Sequence, residues 1–154
     1  KITVVPYQDK YHFHFRTFNQ NWIEKYFEME DSDHKALYQP QEYILDKGGH
    51  ILVALYENEP VGVCALIKMN DVVWDFELAK MAIVSDMQGL GIGNILAHAV
   101  IAKAKASGAK SIYLESSRQL SPAIKLYKKL GFEEITGYDT PYQRCDIQMM
   151  LKLD

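Results

Sequence analysis

The chain has 154 residues with 17 basic and 20 acidic side chains, a formal net charge of −3 and an apolar fraction of 48%. This length supports one substantial hydrophobic core, so we expect a single domain that covers residues 1–154. Because no concentrated basic face is evident, nucleic acids and anionic membranes are not expected as partners, and no apolar run approaches the ~18 residues of a membrane-spanning helix.

The first half of the chain combines helix and strand signals. A short strand is predicted at residues 2–5, and apolar and aromatic pairs at i,i+4 spacing predict a helix at residues 11–30. A proline and a Gly-Gly pair bracket a second short helix at residues 41–47. Three strands of an antiparallel sheet follow at residues 50–56, 61–69 and 72–84, the first two joined by a turn-rich link of hairpin length.

The second half is predicted to run β-α-β-α-β-β. Apolar residues at helical spacing predict a helix at residues 92–106, and a short strand follows at residues 111–115. Ser121 and Pro122 suit the N-cap and the first position of a helix of ~9 residues. Strands at residues 132–138 and 145–153 complete a chain of mixed α/β (α+β) class.

Cys64 and Cys145 are the only cysteines, far apart and each in an apolar, strand-like stretch. We expect buried free thiols rather than a disulfide, which favours a reducing compartment, the cytoplasm. The His and Cys residues show no C-x-x-C or H-E-x-x-H spacing, so no metal site is expected.

The most specific chemical signal is a glycine-rich loop between a predicted strand and an amphipathic helix. Its alternating glycines let backbone N–H groups converge on one point without Cβ atoms in the way, and the helix N-terminus adds a partial positive charge. We therefore expect a phosphate or pyrophosphate there, although a tight turn that needs glycine has the same local sequence. The residues of this loop are Gln88, Gly89, Leu90, Gly91, Ile92, Gly93 and Asn94.

Two known phosphate-binding signatures fit this loop less well. A Walker loop is excluded because no Gly-Lys-Ser/Thr appears in it. Gly89 and Gly91 match the dinucleotide fingerprint G-x-G-x-x-G, and Glu115 ends the next strand, where an acidic residue would hold a ribose. However, Asn94 replaces the last glycine, and the 79 residues from Phe76 onward are too few for a doubly wound dinucleotide domain. A nucleotide-dependent oxidoreductase is therefore the weaker alternative.

The loop resembles the hallmark of the GNAT superfamily of acetyl-coenzyme A dependent N-acetyltransferases, Q/R-x-x-G-x-G/A after the fourth strand, which Gln88, Gly91 and Gly93 match. The resemblance extends over residues 77–84 of the preceding strand and over the family's later helix and turn. That later motif reads Ala123-x-x-x-Tyr127-x-x-x-Gly131-Phe132. The linked motifs span residues 77–132, and the predicted order of elements is compatible with the family over the whole chain.

The resemblance implies a single domain with a mixed, mostly antiparallel central sheet flanked by helices. It implies an enzyme that moves the acetyl group of acetyl-coenzyme A (acetyl-CoA) to a primary amine of a small molecule or peptide, by direct attack in a ternary complex without a metal. The acceptor amine and the oligomeric state stay open, a homodimer included. Many family members carry Asn where this chain has Leu120, so a catalytically silent coenzyme A binding or sensing module is the alternative.

In GNAT proteins the fourth and fifth strands splay apart, and unpaired backbone groups of the fourth strand hold the pantetheine arm. The resemblance assigns this role to Met81, Ala82 and Ile83, for which plain sheet core is the alternative. A backbone N–H there would also stabilise the oxyanion that forms during transfer. The family's first helical region borders the acceptor pocket, and helix packing otherwise explains its aromatic residues: Trp22, Tyr26, Phe27 and Tyr38.

Two residues are candidates for catalysis. Glu77 is predicted to share its strand face with Ala79, Met81 and Ile83, an apolar setting that raises the pKa of a carboxyl group. It also stands 11 residues before Gln88, as the family's catalytic Glu does, and would be the general base unless it is a solvated strand-end carboxylate or an acceptor-binding charge. The resemblance makes Tyr127 the residue that protonates or stabilises the leaving thiolate, although a packed core tyrosine would have the same sequence.

Charge is distributed unevenly along the chain, since residues 1–75 carry 7 basic and 12 acidic side chains and residues 76–154 carry 10 and 8. An acidic half that faces the acceptor would attract cationic amines. We therefore expect a small cationic amine or a basic peptide end rather than an acidic amino acid. Asp31 and Asp33 are equally consistent with solvated surface.

Overall fold

The chain forms seven strands and four α-helices, and the computed structural model describes all of residues 1–154. The helices are α1 (His12–Tyr26), α2 (Asp31–Tyr38), α3 (Ile92–Ala106) and α4 (Ser121–Lys129). The strands are β1 (Ile2–Pro6), β2 (His50–Tyr56), β3 (Glu59–Lys68), β4 (Phe76–Ile83), β5 (Ser111–Ser116), β6 (Glu133–Ile135) and β7 (Ile147–Lys152). None of the helices combines the length and the apolar character needed to cross a bilayer.

All seven strands form one sheet in the order β1-β2-β3-β4-β5-β7-β6. Every neighbouring pair is antiparallel except β4 and β5, which run parallel. The β2–β3 hairpin closes through Glu57 and Asn58, whose φ angles of 48° and 69° suit a two-residue turn that follows the twist of the strands. The mixed, mostly antiparallel sheet expected from the sequence is confirmed.

Helices cover both faces of the sheet, and each face has its own hydrophobic core. On one face, Ile92, Leu96 and Val100 of α3 pack on the strands. On the other face, Phe15 and Ile23 of α1 do so together with residues of α2. Each fully buried side chain of this size contributes roughly 1.5–3 kcal/mol.

Strand β3 serves both cores. Cys64 and Leu66 belong to the core under α3, whereas Val63 and Ala65 belong to the core under α1. Because successive side chains of a strand point to opposite faces, an unbroken apolar run is what a strand between two helical layers requires.

Strand β4 contains a bulge that the sequence did not indicate. Val63 pairs with Ala82 and Ala65 pairs with Ala79, so two steps along β3 face three steps along β4. Within this stretch Lys80 has a φ of 54°, in the left-handed region that non-glycine residues seldom adopt. One extra residue in a strand reverses the alternation of its side chains beyond that point.

This reversal corrects one prediction about the faces of β4. Leu78 packs in the core under α3, and beyond the bulge Met81 and Ile83 pack against that same core, while Ala82 joins the opposite one. Glu77 precedes the bulge and alternates with Leu78. Glu77 therefore shares its face with Ala79, as predicted, but the prediction that it also shares this face with Met81 and Ile83 is wrong.

The predicted helix at residues 11–30 is wrong in its last part, because α1 ends at Tyr26 and a separate helix, α2, begins at Asp31. The side chains of Glu30 and Asp33 each accept a hydrogen bond from the other's backbone N–H, a capping box that starts α2. Glutamate is an unusual N-cap, which is why this start was not recognised. The predicted helix at residues 41–47 is a five-residue π-helical turn, Gln41–Leu45.

The predicted strand at residues 72–84 begins only at Phe76. The carboxylate of Asp71 accepts the backbone N–H groups of Val73 and Trp74, at 2.7 and 3.2 Å, and holds these residues in a turn. Val72 is fully exposed in that turn, so its apolar character is not evidence of a strand. The strand predicted at residues 132–138 likewise shortens to β6.

Candidate active site

A cleft of about 720 Å³ opens where β4 and β5 separate. The two strands pair only at Phe76 with Ile112 and at Glu77 with Tyr113, so from Leu78 onward β4 has no strand beside it on this edge. Residues of α1, β4, β5, α4 and the loop before α3 line the cleft. Its size is typical of small-molecule sites.

The free edge of β4 forms one wall of the cleft. An unpaired strand edge presents N–H and C=O groups that an extended ligand can bind as a further strand would. Met81, Ala82 and Ile83, the residues predicted to hold the cofactor arm, all lie on this edge and line the cleft. The structure thus places them where that role would require.

The glycine-rich loop meets the end of this edge and leads into α3. Gly89 and Gly91 have φ angles of 82° and 81°, a left-handed conformation that favours glycine. No atom lies within 4 Å of the Cβ that either glycine would carry, so their backbone borders open space. Gly91 is also the N-cap of α3, and the N–H groups of the turn that follows have no partner within the helix. Such a terminus favours an anion.

The other predicted loop residues differ in their positions. Gln88 uses its side-chain amide to donate a hydrogen bond to the carbonyl of Ile83 at 3.2 Å, which closes the loop. Gly93 lies in the first turn of α3, where a Cβ would contact side chains of β4 and α4 at 3.7 Å. Leu90 is 63% exposed and does not line the cleft. The loop residues that line it are Gln88, Gly89, Gly91, Ile92, Gly93 and Asn94.

Helix α4 forms the opposite wall and carries Tyr127, which lines the cleft. The ring of Tyr127 packs edge-on against Phe132, with ring centroids 5.9 Å apart. Burial, and to a lesser extent the neighbouring Cys64, raises the pKa of this phenol, so it carries its proton at neutral pH. Leu120 is the N-cap of α4, forms no side-chain cap and also lines the cleft.

Two glutamates face the cleft from the separating strands, Glu77 from β4 and Glu115 from β5. Glu115 accepts hydrogen bonds from the hydroxyls of Tyr113 and Thr140, each at 2.6 Å. Burial and then the charge of Glu115 raise the pKa of Glu77 to about 7, against the opposing effect of Lys80. A carboxyl group with this pKa can both take up and release a proton at neutral pH.

A buried ion cluster, which no motif indicated, supports the same end of the cleft. The fully buried Asp33 of α2 accepts hydrogen bonds from Lys80 Nζ at 2.6 Å and from Arg144 at 2.7 and 2.8 Å. Arg144 also pairs with Glu30 at 3.2 Å, and Lys80 donates to the hydroxyl of Tyr142 at 2.9 Å. Burial alone would raise the pKa of Asp33, but the hydrogen bonds of Arg144 and the charge of Lys80 lower it to about 2.

The cluster corrects the interpretation of Asp33 as a solvated or steering surface charge. Its carboxylate is inside the protein and joins α2, the bulge of β4 and the loop before β7. Lys80 and Arg144 stand 47 and 111 positions away from it in the sequence, so no local pattern could reveal the group. The one local signal is the capping box between Glu30 and Asp33.

Aromatic side chains of α1 and the residue after it form the far wall of the cleft. Trp22 lies 5.5 Å from Tyr26 and 6.4 Å from Phe27, measured between ring centroids, and all three line the cleft. Tyr38 does not, since its hydroxyl instead donates to Gln20 at 3.1 Å. No three His, Cys, Asp or Glu side chains come together as a metal site would require.

Comparisons of the sequence and of the fold with known proteins all give acetyltransferases. A family model described as "Acetyltransferase (GNAT) family" matches residues 15–132. The chain is 32% identical over 135 residues to an uncharacterized N-acetyltransferase of Escherichia coli, an alignment that covers 84% of this chain and 78% of that protein. Its fold is similar to that of a GNAT-family acetyltransferase of Staphylococcus aureus, with a TM-score of 0.87 and 22% identity over 100% of both chains. It is also similar to a Bacillus subtilis acetyltransferase in complex with CoA, with a TM-score of 0.75 and 19% identity over 99% of both chains.

Proposed function

The chain belongs to the GNAT family of acetyltransferases, and we propose that it moves the acetyl group of acetyl-CoA to a primary amine of a small molecule or peptide. The amine attacks the thioester directly while both substrates are bound. The observation that carries this proposal is the junction of the free edge of β4 with the glycine-rich loop, in a cleft that Glu77 also lines.

The end of the cleft formed by the β4 edge and the glycine-rich loop, here called the cofactor end, offers main-chain groups suited to acetyl-CoA. The edge of β4 from Met81 to Ile83 supplies N–H and C=O groups for an extended pantetheine arm. Gly89, Gly91 and the first turn of α3 supply unobstructed N–H groups for a pyrophosphate. The complex of the similar Bacillus subtilis protein with CoA supports this choice of ligand.

Glu77 is proposed as the general base. An alkyl amine is mostly protonated at neutral pH and must lose a proton before its nitrogen can attack. A carboxylate whose pKa is about 7 is a stronger base than an ordinary glutamate and is still largely ionised just above neutrality. Its position at the end of the paired part of β4 leaves it facing the cleft rather than the core.

The transfer balances with the groups available in the cleft. The amine nitrogen forms a bond to the thioester carbon, and Glu77 takes up the proton that the nitrogen loses. N–H groups of the β4 edge are the donors for the negative charge that develops on the carbonyl oxygen. The C–S bond breaks with its electron pair on sulfur, and the hydroxyl of Tyr127, which is protonated at neutral pH, supplies the proton. Glu77 then releases its proton to solvent, and Tyr127 regains one from solvent, so that both groups return to their starting states.

A reducing compartment, the cytoplasm, is proposed as the location. Cys64 and Cys145 are both free thiols, the first buried and the second half-buried. Free thiols of this kind persist where disulfides are kept reduced.

A catalytically silent coenzyme A binding module is the competing function, for which Leu120 is the supporting feature because its side chain offers no polar contact. Turnover separates the two functions. Acetyl-CoA is incubated with amino acids, polyamines, aminoglycosides and peptides with free N-termini, and release of the free thiol is followed with Glu77→Gln as the control. We expect thiol release that depends on both an amine and Glu77. Tight binding of acetyl-CoA without thiol release on any amine would favour the silent module.

A further inference from the structure

Four charged side chains line the cleft, two acids and two bases: Glu77, Glu115, Lys80 and Arg144. The two bases are not free to bind a ligand. Asp33 does not itself line the cleft but lies behind its wall, 2.6 Å from Lys80 and 2.7 Å from Arg144. Both cations that line the cleft are therefore ion-paired with one buried carboxylate, that of Asp33.

Neither base can turn toward the cleft without losing its ion pairs and ring contacts. The side chain of Lys80 is 5% exposed and that of Arg144 is 17% exposed. Both cations also lie over the ring of Tyr142, at 4.6 and 4.5 Å from its centroid, and Arg144 reaches Glu30 as well. Moving either base away would leave Asp33 ionised and short of a partner in the interior, which proteins tolerate poorly.

The two acids have no such partner. The ion pairs of the protein involve neither Glu77 nor Glu115. The hydroxyls of Tyr113 and Thr140 donate to Glu115, and neutral donors stabilise a carboxylate without cancelling its charge. A ligand at this end of the cleft therefore meets two carboxyl groups that no ion pair engages.

Beside the polar Asn19 and Tyr142, the remaining surface at this end is mostly apolar or aromatic. Five apolar or aromatic residues of this end line the cleft: Trp22, Ile23, Tyr26, Phe27 and Ile67. Lys25 lies over the ring of Tyr26 at 5.4 Å and Arg144 over that of Phe27 at 5.8 Å, whereas the ring of Trp22 has no cation over it. Aromatic faces attract a cation as well as an apolar body, because their π-electrons carry partial negative charge. Acids and aromatic rings together select an ammonium group on an apolar body.

On the basis of the proposed acetyl transfer, we infer that the acceptor is an amine with an apolar or aromatic body and no carboxylate beside the amine, and that Asp33 sets this selectivity. An ammonium group is attracted to Glu77 and Glu115. A carboxylate on the neighbouring carbon faces the same two acids and finds no free cation. Free amino acids are therefore poor acceptors, whereas simple amines and peptide N-termini, whose first carbonyl is a neutral amide, are accepted.

Three matched acceptors test the selectivity through thiol release from acetyl-CoA: 2-phenylethylamine, phenylalaninamide and phenylalanine. They share one aromatic body, and the amide matches the amino acid in size but lacks its negative charge. We expect kcat/KM for the amine and for the amide to exceed that for the amino acid by about tenfold or more. Equal rates for phenylalanine and its amine would overturn the inference and leave acetyl transfer standing.

Other outcomes of this comparison are equally decisive. Rejection of the amide together with the amino acid would overturn the inference, because size rather than charge would then control acceptance. Transfer to polyamines or aminoglycosides but to none of the three aromatic acceptors would overturn it as well. Absence of thiol release with every amine would contradict the proposed function itself.

The role of Asp33 is tested with Asp33→Asn. This substitution keeps the shape of the side chain but removes the negative charge that pairs with Lys80 and Arg144. We expect the preference for amine over amino acid to fall by about tenfold in this variant. Asp31→Asn, an exposed position in the same helical turn, is the matched control and should leave the preference unchanged. Glu30→Gln removes one partner of Arg144 and should shift the preference in the same direction by less. An unchanged preference in Glu30→Gln and in a folded Asp33→Asn, shown by circular dichroism, would overturn this role.

Discussion

The two ends of the cleft are built from different parts of the chain. The end proposed for the cofactor consists of main chain, namely the free edge of β4 and the loop from Gln88 to Asn94. The end proposed for the acceptor consists of side chains from α1, β4, β5 and the loop before β7, supported from behind by Asp33 of α2 and held together by ion pairs and ring contacts.

Because one end is built from main chain and the other from side chains, the two ends place different demands on the sequence. A main-chain site requires a short run of residues that leave the backbone open, and glycines at fixed spacing satisfy it. A side-chain site requires particular charges at particular points, and distant segments can supply them. Substitutions at the cofactor end should therefore change affinity, and substitutions at the acceptor end should change rate, selectivity or stability.

The largest effect is expected for Glu77→Gln. A positioned general base contributes typically ~10²–10⁴-fold to a rate, so turnover at neutral pH should fall within that range. The affinity for acetyl-CoA should stay the same, because the variant leaves the main-chain end intact. Turnover by thiol release and binding by calorimetry check the two parts. Loss of affinity together with turnover would remove the proposed division between the ends.

Asp33→Ala should cost about 3–5 kcal/mol of stability, because the buried Lys80 loses its one ion-pair partner and Arg144 keeps only Glu30. Asp31→Ala, on the exposed side of the same turn, should cost less than about 1 kcal/mol. Urea unfolding at pH 7 measures both. Equal small losses in the two variants would show that the ion cluster does not support the acceptor end.

The same cluster has a defined pH dependence. Since the pKa of Asp33 is lowered from 3.8 to about 2, its stabilising ionisation is complete above pH 4 and is lost as the pH falls toward 2. The difference in stability between the wild type and Asp33→Ala should therefore shrink over that interval.

Tyr127→Phe should lower turnover by about 10²-fold or less with nearly unchanged affinity for acetyl-CoA, because the ring still packs against Phe132. A thermal melt and a thiol-release assay separate the two roles of the residue. A lower melting temperature with unchanged turnover would make Tyr127 a core residue only.

Gly91→Asp should weaken the binding of acetyl-CoA by more than about tenfold, because a carboxylate there opposes an anionic ligand. Gly108→Asp is the matched control, since Gly108 has a φ of 82° against 81° for Gly91 and equally open surroundings, yet lies outside the cleft. Backbone strain is thus similar in the two variants. Equal affinities measured by calorimetry would show that the loop does not hold the cofactor.

Much of the fold could be predicted from the sequence because its signals are local. The apolar runs of β2 and β3, the turn between them and the Ser-Pro start of α4 each indicate their element within a few residues. The start of α2 was missed because a glutamate caps it, and the early start given to β4 followed apolar residues that lie in an exposed turn.

The candidate site likewise has a part that local sequence predicts and a part that depends on tertiary pairing. The loop residues from Gln88 onward form a contiguous motif, and only Leu90 among them lies outside the cleft. The bulge at Lys80 depends on how β3 and β4 pair, and the partners of Asp33 lie on segments far from it in the chain. Tertiary pairing of this kind has no period that a single sequence displays.

The pH dependence of the loss caused by Glu77→Gln tests the central claim most directly. The ratio of wild-type to variant turnover is measured from pH 6 to pH 10 with one amine at saturation, so that binding of the amine limits neither rate. The ratio should rise as Glu77 ionises through a pKa of about 7 and fall at alkaline pH, where the amine loses its proton unaided. A ratio that stays constant across this range would show that Glu77 binds the acceptor or supports the fold and does not act as the base.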